Sequence, residues 1–240
     1  MSGHSKWATI KRAKESKDAK RGNIFTKLGN AITVAARTGG DPDSNFALRV
    51  EIDKAKSANM PKDNIERAIK RGTGELEGAQ IEELTYEGFG PAKAGFIIEV
   101  VTDSKNRSAA EIRHIFTKHG GSLGATNSVS WNFNHLGIIR VLKENLPSET
   151  DELELELIDA GVDDMKKELE GWTLYTAIEN LQKVQTLLDA KNIKAESIGI
   201  EYIAKDEKNI SEEEKSRVEN FINALEESDD INNYYTDVNL

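Results

Sequence analysis

The sequence predicts an α+β protein of three domains: an N-terminal helical domain and two α/β domains, at least one of them ferredoxin-like. Three observations predict this class. The chain has 240 residues, more than one small domain usually contains. Apolar residues recur at helical spacing up to about residue 72, and strand-like runs begin only after residue 80. From residue 135 the elements follow the order βαββαβ, which is typical of a ferredoxin-like domain.

The helical domain is predicted over residues 1–75. Its amphipathic helices are predicted over residues 24–38, from Asp43 or Ser44 to Asn59, and from Pro61 to Gly72. Gly39-Gly40 ends the first helix. Pro61 suits the first turn of the third helix, because an N–H group there would have no helical partner. The segment GTGELEG is then predicted to be a linker.

The middle α/β domain is predicted over residues 80–134 plus 205–240. Its predicted elements are strands at 82–87, 94–102 and 127–133, helices at 107–119 and 211–227, and a final strand in INNYYTDVNL. The run AGFIIEVVT is almost continuously apolar, as in a buried central strand. We expect the final strand to return to this domain, so that the ferredoxin-like domain is an insertion.

The inserted ferredoxin-like domain is predicted over residues 135–204. Its strands are predicted at 136–142, 163–169, 172–175 and 196–203, and its helices at 149–160 and 176–190.

Charge is divided unevenly along the chain. The net charge is −10, yet residues 1–72 carry +8 and the remainder −18. Such asymmetry indicates a basic nucleic-acid-binding region on an acidic body. The chain has no cysteine, which excludes disulfides and zinc–thiolate sites. We expect a cytoplasmic protein, since no secretory signal and no membrane-spanning apolar run are visible.

The basic N-terminal segment is the main candidate site. Residues 1–21 contain seven basic and two acidic side chains, and Lys and Arg neutralise phosphates. Trp7 adds a ring on which an unpaired base can stack. The candidate nucleic-acid-binding residues here are Lys6, Trp7, Lys11, Arg12, Lys14, Lys17, Lys20, Arg21 and Lys27. The alternative is a solvated charged helix with Trp7 as its packing anchor.

A second basic cluster consists of Lys62, Arg67, Lys70 and Arg71. These residues extend the same binding surface in one interpretation. In the other, Lys70 and Arg71 stabilise the negative end of the helix dipole and have no ligand.

No motif in the sequence predicts a catalytic residue, a metal site or a cofactor. His114 and His119 are five residues apart, which does not place both on one helical face. The glycine-rich segments GFGP and GGSLG match no phosphate-binding loop and are predicted to be tight turns. Asp103 with Asn106-Arg107 is interpreted as a helix cap and turn.

Several long motifs occur in order along the chain. They are GHSKWATIKRAKESKDAKRGNIFTKLGNAITVAARTGGDP from residue 3, ANMPKDNIERAIKRG from 58, YEGFGP from 86, TD at 102, NR at 106, GGSLG at 120 and SVS at 128. Together they resemble the YebC/PmpR family, which includes a mitochondrial translational activator of cytochrome oxidase. The resemblance implies three domains and no catalytic residues.

The resemblance leaves two functions open. It first implies a DNA-binding transcriptional regulatory protein. The alternative is a ribosome-associated translation factor that binds ribosomal or transfer RNA and relieves stalling at difficult sequences such as proline runs. The sequence shows no clear helix-turn-helix with a base-reading face. An enzyme and a purely protein-binding scaffold are the less favoured classes.

Overall fold

The computed structural model describes residues 21–77 and 81–240. Within these ranges the helices are α1 (Arg21–Ala35), α2 (Phe46–Ser57), α3 (Lys62–Gly72), α4 (Lys105–Lys118), α5 (Asp151–Ala160), α6 (Leu181–Ala190) and α7 (Glu212–Glu227). The strands are β1 (Glu82–Phe89), β2 (Gly95–Thr102), β3 (Ser122–Leu123), β4 (Phe133–Leu142), β5 (Val162–Lys167), β6 (Gly171–Thr176), β7 (Ser197–Ala204) and β8 (Ile231–Thr236). The predicted α+β class is therefore confirmed. In the part of the chain that the structure describes, no helix is long and apolar enough to cross a membrane.

The described residues form two compact units. One contains residues 133–203 together with Leu240, and the other contains the remaining described residues through Asn239.

The first unit has the predicted ferredoxin-like topology. Its four strands lie in the order β5-β6-β4-β7, and β6 is antiparallel to both β4 and β5. The helices α5 and α6 contact each other and the sheet, and their buried residues include Leu157 and Val184. An ion pair between Arg140 of β4 and Glu201 of β7 is bidentate, at 2.6 and 2.9 Å, and Arg140 is buried.

The second unit contains a sheet in the order β3-β1-β2-β8. The chain's last strand, β8, lies antiparallel beside β2, with Tyr235 opposite Ile97. Helices α4 and α7 pack on this sheet through three buried phenylalanine rings. The ring centroid of Phe221 lies 4.9 Å from that of Phe96 and 4.8 Å from that of Phe116, both edge-to-face. This geometry favours aromatic pairs and joins β2, α4 and α7 in one core.

The helices α1, α2 and α3 of the second unit share a core that includes Ile32, Leu48 and Ile65. The first turn of α2 is capped by Asn45, whose side-chain oxygen accepts the N–H of Leu48 at 3.1 Å. The Nδ2 of Asn45 also donates to carbonyl oxygens of the preceding turn, at 2.7 and 2.8 Å. The helix begins at Phe46, two or three residues after the predicted start near Asp43 or Ser44.

The strand predicted at 127–133 was wrong. Residues 125–132 form an irregular segment with a short 3-10 helix, and β4 begins only at Phe133. The buried carboxylate of Glu87 accepts the backbone N–H groups of Asn127, Val129 and Ser130 at 2.8, 2.8 and 2.9 Å. Those three donors are then unavailable to a β-ladder, so the segment folds around the carboxylate instead.

Candidate nucleic-acid interface

Most of the predicted N-terminal contact residues lie outside the described residues. These are Lys6, Trp7, Lys11, Arg12, Lys14, Lys17 and Lys20. Arg21 is the first residue of α1, and its side chain is not among those described. Lys27 is half-buried, and its Nζ donates to the backbone carbonyl oxygen of Glu226 at 2.9 Å.

The contact of Lys27 has a structural consequence. Glu226 lies in the last turn of α7, where carbonyl groups lack helical partners and the helix dipole is negative. Asn23 donates to the next carbonyl oxygen, that of Glu227, at 3.1 Å. Lys27 and Asn23 therefore join α1 to the end of α7 and satisfy two of its terminal acceptors.

The second predicted cluster lies on the outer surface of α3. Ile65 and Ala68 of this helix face the three-helix core, which turns Arg67, Lys70 and Arg71 towards solvent. Positions three and four apart are neighbours on a helix surface, so these three cations form one patch. We call Arg67, Lys70 and Arg71 the α3 basic patch.

No ion pair among the described residues neutralises this patch. Lys62 lies 3.3 Å from Glu66 in an exposed pair. Within residues 21–77 and 81–240, by contrast, no carboxylate pairs with a side chain of the α3 basic patch. Its positive charge is therefore available to an anionic ligand.

A groove of about 320 Å³ runs between α1 and α3, beside this patch. Its lining residues are Phe25, Thr26, Gly29, Asn30, Thr33, Met60, Asn64, Arg67, Ala68 and Arg71. We call it the α1–α3 groove. The sequence predicted Arg67 and Arg71 for the binding surface, and it gave no signal for Asn30 and Asn64.

Two glycines explain why the groove opens at one end. At Gly72 the helices touch, since a Cβ atom there would lie 2.3 Å from the Thr33 carbonyl oxygen. At Gly29 a Cβ atom would meet only the Met60 Cε, at 3.6 Å, which is ordinary van der Waals contact. The hydroxyl of Thr33 on α1 donates to the Ala68 carbonyl oxygen of α3 at 3.1 Å, and this bond joins the two helices at the base of the groove.

The connection between α2 and α3 is short. It consists of residues 58–61, with Asn59 at a positive φ of 58°. Four residues is the length of the turn in helix-turn-helix proteins, whose second helix enters the DNA groove.

The segment from Asp103 to Arg107 has a structural role. Arg107 pairs with Asp103 at 2.9 Å and with Asp230 at 3.0 Å, which joins the start of α4 to the chain before β8. Asp103 is not the helix cap, because Ser104 occupies that position. In the ranges that the structure covers, no cluster of three His, Asp or Glu side chains could hold a metal ion.

The fold and the groove define a class: a helical domain with an unpaired basic face, joined to α/β elements. Two family models together match most of the chain. A model of the TACO1/YebC protein N-terminal domain matches residues 5–75, and one of the TACO1/YebC second and third domain matches residues 81–238. The chain belongs to the TACO1/YebC family.

Relatives and a solved structure agree with this assignment. The probable transcriptional regulatory protein Teth39_1009 of Thermoanaerobacter pseudethanolicus is 48% identical, over all of this chain and 98% of that protein. A probable transcriptional regulatory protein of Acidithiobacillus ferrooxidans is 49% identical, over all of this chain and 95% of its own length. The crystal structure of the conserved hypothetical protein Aq1575 from Aquifex aeolicus has a TM-score of 0.82 and 40% identity. That match covers 92% of this chain and 91% of the other.

Proposed function

We propose that this protein is a nucleic-acid-binding regulator of gene expression, without enzymatic activity, that acts on transcription by binding DNA. The observation that carries the proposal is the α3 basic patch, whose three cations have no carboxylate partner among the described residues. When such cations neutralise phosphates, the counterions condensed around the nucleic-acid backbone are released, and this release favours binding. The names of the relatives favour transcription as the process.

The location of the patch supports this proposal over a purely structural role. Lys70 and Arg71 lie in the last turn of α3, where a cation also stabilises the helix dipole. Arg67 lies a full turn earlier, outside the range of that effect, and it is equally exposed. The helix dipole therefore explains two of the three cations, and a shared anionic ligand explains all of them.

The N-terminal basic residues, from Lys6 to Arg21, belong to the same proposal. They extend the positive region of the chain in sequence, and Trp7 supplies a ring for stacking. The acidic remainder of the chain, with a net charge of −18 after residue 72, disfavours nonspecific wrapping of nucleic acid around the whole molecule.

The test compares two triple variants that remove the same charge. In the first, Arg67, Lys70 and Arg71 are all changed to Gln. In the control, Lys118, Lys143 and Lys194, which are exposed residues far from α3 in sequence, are changed to Gln. Fluorescence anisotropy measures binding of each full-length protein to a mixed-sequence DNA duplex over a range of salt concentrations.

We expect the first variant to bind at least about tenfold more weakly, and the slope of log affinity against log salt to fall by about two to three. The control should match the wild type in both respects. Equal binding by all three proteins would refute the patch as a contact surface. Equal loss in both variants would show that only the total charge matters.

A ribosome-associated role in translation is the second candidate function. The open α1–α3 groove favours it, since RNA-binding proteins commonly receive unpaired bases in such recesses. Ribosome profiling of a deletion strain separates the two functions. Stalling at proline runs would support translation, and altered promoter occupancy without stalling would support transcription.

A further inference from the structure

We propose that the α1–α3 groove binds one unpaired nucleotide of a single-stranded nucleic acid, with the base inside the groove and the flanking phosphates on Arg67 and Arg71. This inference rests on the nucleic-acid binding in the proposed function and adds a single-stranded ligand at the same site. It assigns the groove to a flat heteroaromatic ring system rather than to a duplex.

The dimensions of the groove support a ligand of this size. A volume of about 320 Å³ lies at the lower limit of small-molecule sites, so the groove admits one ring system and its sugar. A base pair inside a duplex cannot enter, because its bases are stacked on both sides. Only an unpaired nucleotide can place its ring between two helices.

The floor and walls of the groove match the faces of a base. Met60 and Ala68 are buried beneath it, and the half-buried ring of Phe25 lines one side. Aromatic and apolar side chains of this kind stack on the face of any base, whatever its identity. The groove therefore offers stacking without strong selection among bases.

The rims of the groove match the polar edges of a base. Asn30 of α1 and Asn64 of α3 both line the groove. Neither carboxamide has a hydrogen-bond partner within the described ranges. A carboxamide presents a donor and an acceptor side by side, as the edge of a base does. These two groups are available to a base because the helices leave them unpaired.

The charges lie where the phosphates of an inserted nucleotide would be. Arg67 and Arg71 are one helical turn apart, exposed, and on the α3 side of the groove. A guanidinium group binds phosphate through two parallel hydrogen bonds and can also stack on a base. The groove thus combines stacking surface, base-edge partners and phosphate partners around one nucleotide.

Gly29 allows the inference to be tested without removing any charge. Its missing side chain leaves the groove open, and leucine has a higher helix propensity than glycine. We choose Gly29→Leu to fill the groove and Gly29→Ala to fill it in part. Ala47→Leu serves as the control, since it adds the same side chain at an exposed position of α2.

The experiment uses the full-length protein and three fluorescein-labelled probes: a mixed-sequence single-stranded RNA, the DNA strand of the same sequence, and its DNA duplex. Anisotropy gives the affinity of each variant for each probe, and thermal melting shows that each variant is folded. Adenosine monophosphate is added as a competitor, to distinguish a free nucleotide from a nucleotide within a strand.

We expect Gly29→Leu to weaken single-strand binding about tenfold or more, Gly29→Ala to weaken it less, and Ala47→Leu to leave it unchanged. Duplex binding should be the same in all four proteins. The single-stranded probe, RNA or DNA, whose binding weakens in this way is the preferred ligand.

Four other results would overturn the inference. A folded Gly29→Leu variant with unchanged single-strand binding would show that the groove is unused, and the proposed function would still stand if the triple Gln variant loses binding. Equal weakening for strand and duplex would exclude a base in the groove. Displacement by adenosine monophosphate at concentrations near that of the strand would assign the groove to a free nucleotide. If the wild type binds none of the probes, the proposed function fails as well.

Discussion

Changing Glu87 to Gln tests how the segment 125–132 is held. The carboxylate is buried and accepts three backbone N–H groups through its two oxygens. A glutamine keeps one acceptor oxygen, and its NH2 group then opposes at least one backbone donor. Hydrogen bonds to a charged group contribute roughly 1.5–3 kcal/mol each, and neutral ones about 1 kcal/mol. Losing one bond and weakening two others should cost about 3 kcal/mol of the free energy of unfolding.

Urea denaturation and amide hydrogen exchange measure this effect. The amides of Asn127, Val129 and Ser130 should exchange faster in the variant than in the wild type, because their acceptor is weakened. The control is Glu82→Gln on the same strand, which removes an exposed ion pair to Lys105 at 2.6 Å. That change should cost at most about 1 kcal/mol. A Glu87→Gln variant as stable as the control, with unchanged amide exchange, would refute the reasoning.

The remaining predictions concern pH, helix packing and capping. Burial acts to raise the pKa of Glu87, but its backbone hydrogen bonds outweigh burial and hold the pKa below the ordinary value of 4.5. The stability that the ionised Glu87 carboxylate contributes is therefore fully present above pH 4.5 and is lost as the pH falls through the lowered pKa. In urea titrations at acid pH, the free energies of unfolding of the wild type and of Glu87→Gln should therefore converge. Gly72→Ala should lower the free energy of unfolding by about 1–3 kcal/mol through overlap with α1, whereas Gly29→Ala should raise it by about 0.5–1 kcal/mol; effects of the same sign would contradict the packing. Asn45→Ala should cost about 2–3 kcal/mol, and Asn45→Asp at least as much, because aspartate keeps the cap to Leu48 but turns a carboxylate oxygen towards the carbonyl oxygens of Ala35 and Gly39; a loss below about 1 kcal/mol in both variants would exclude a role for these bonds.

Periodic patterns explain how much of the fold was predictable. The run around Ile97 and Ile98 was predicted as a buried central strand, and both residues are completely buried in β2. The βαββαβ order was predicted from the spacing of apolar runs, and the observed strand order is ferredoxin-like. These elements follow from local sequence, since one face of each must be covered by apolar neighbours.

Long-range contacts explain what could not be predicted. The segment around Val129 has apolar residues suited to a strand, but Glu87, some forty residues earlier, binds its backbone N–H groups. Among the described strands, the two-residue strand β3 pairs only with β1, and it has no periodicity of its own. The cap at Asn45 is reinforced by bonds to the end of the preceding helix, which a local pattern does not reveal.

The basic residues of the candidate site were predicted from the sequence, but the groove beside them was not. The charge count identified Arg67, Lys70 and Arg71 as binding candidates. The groove beside them depends on how closely α1 and α3 approach at Gly72, which is a tertiary property. Lys27 was also predicted as a nucleic-acid contact. Its observed partner, Glu226, is 199 residues away in sequence, so local sequence could not reveal this bond.

Ultraviolet crosslinking in cells, followed by mass spectrometry of the crosslinked peptides, tests whether the α3 basic patch and the α1–α3 groove contact nucleic acid. It identifies the bound nucleic acid and the part of the protein that touches it in one measurement. We expect crosslinks in peptides that contain Phe25–Asn30 and Asn64–Arg71, together with peptides from the basic segment before Arg21. Crosslinks confined to residues 133–203, or the recovery of no nucleic acid with the protein, would contradict this expectation.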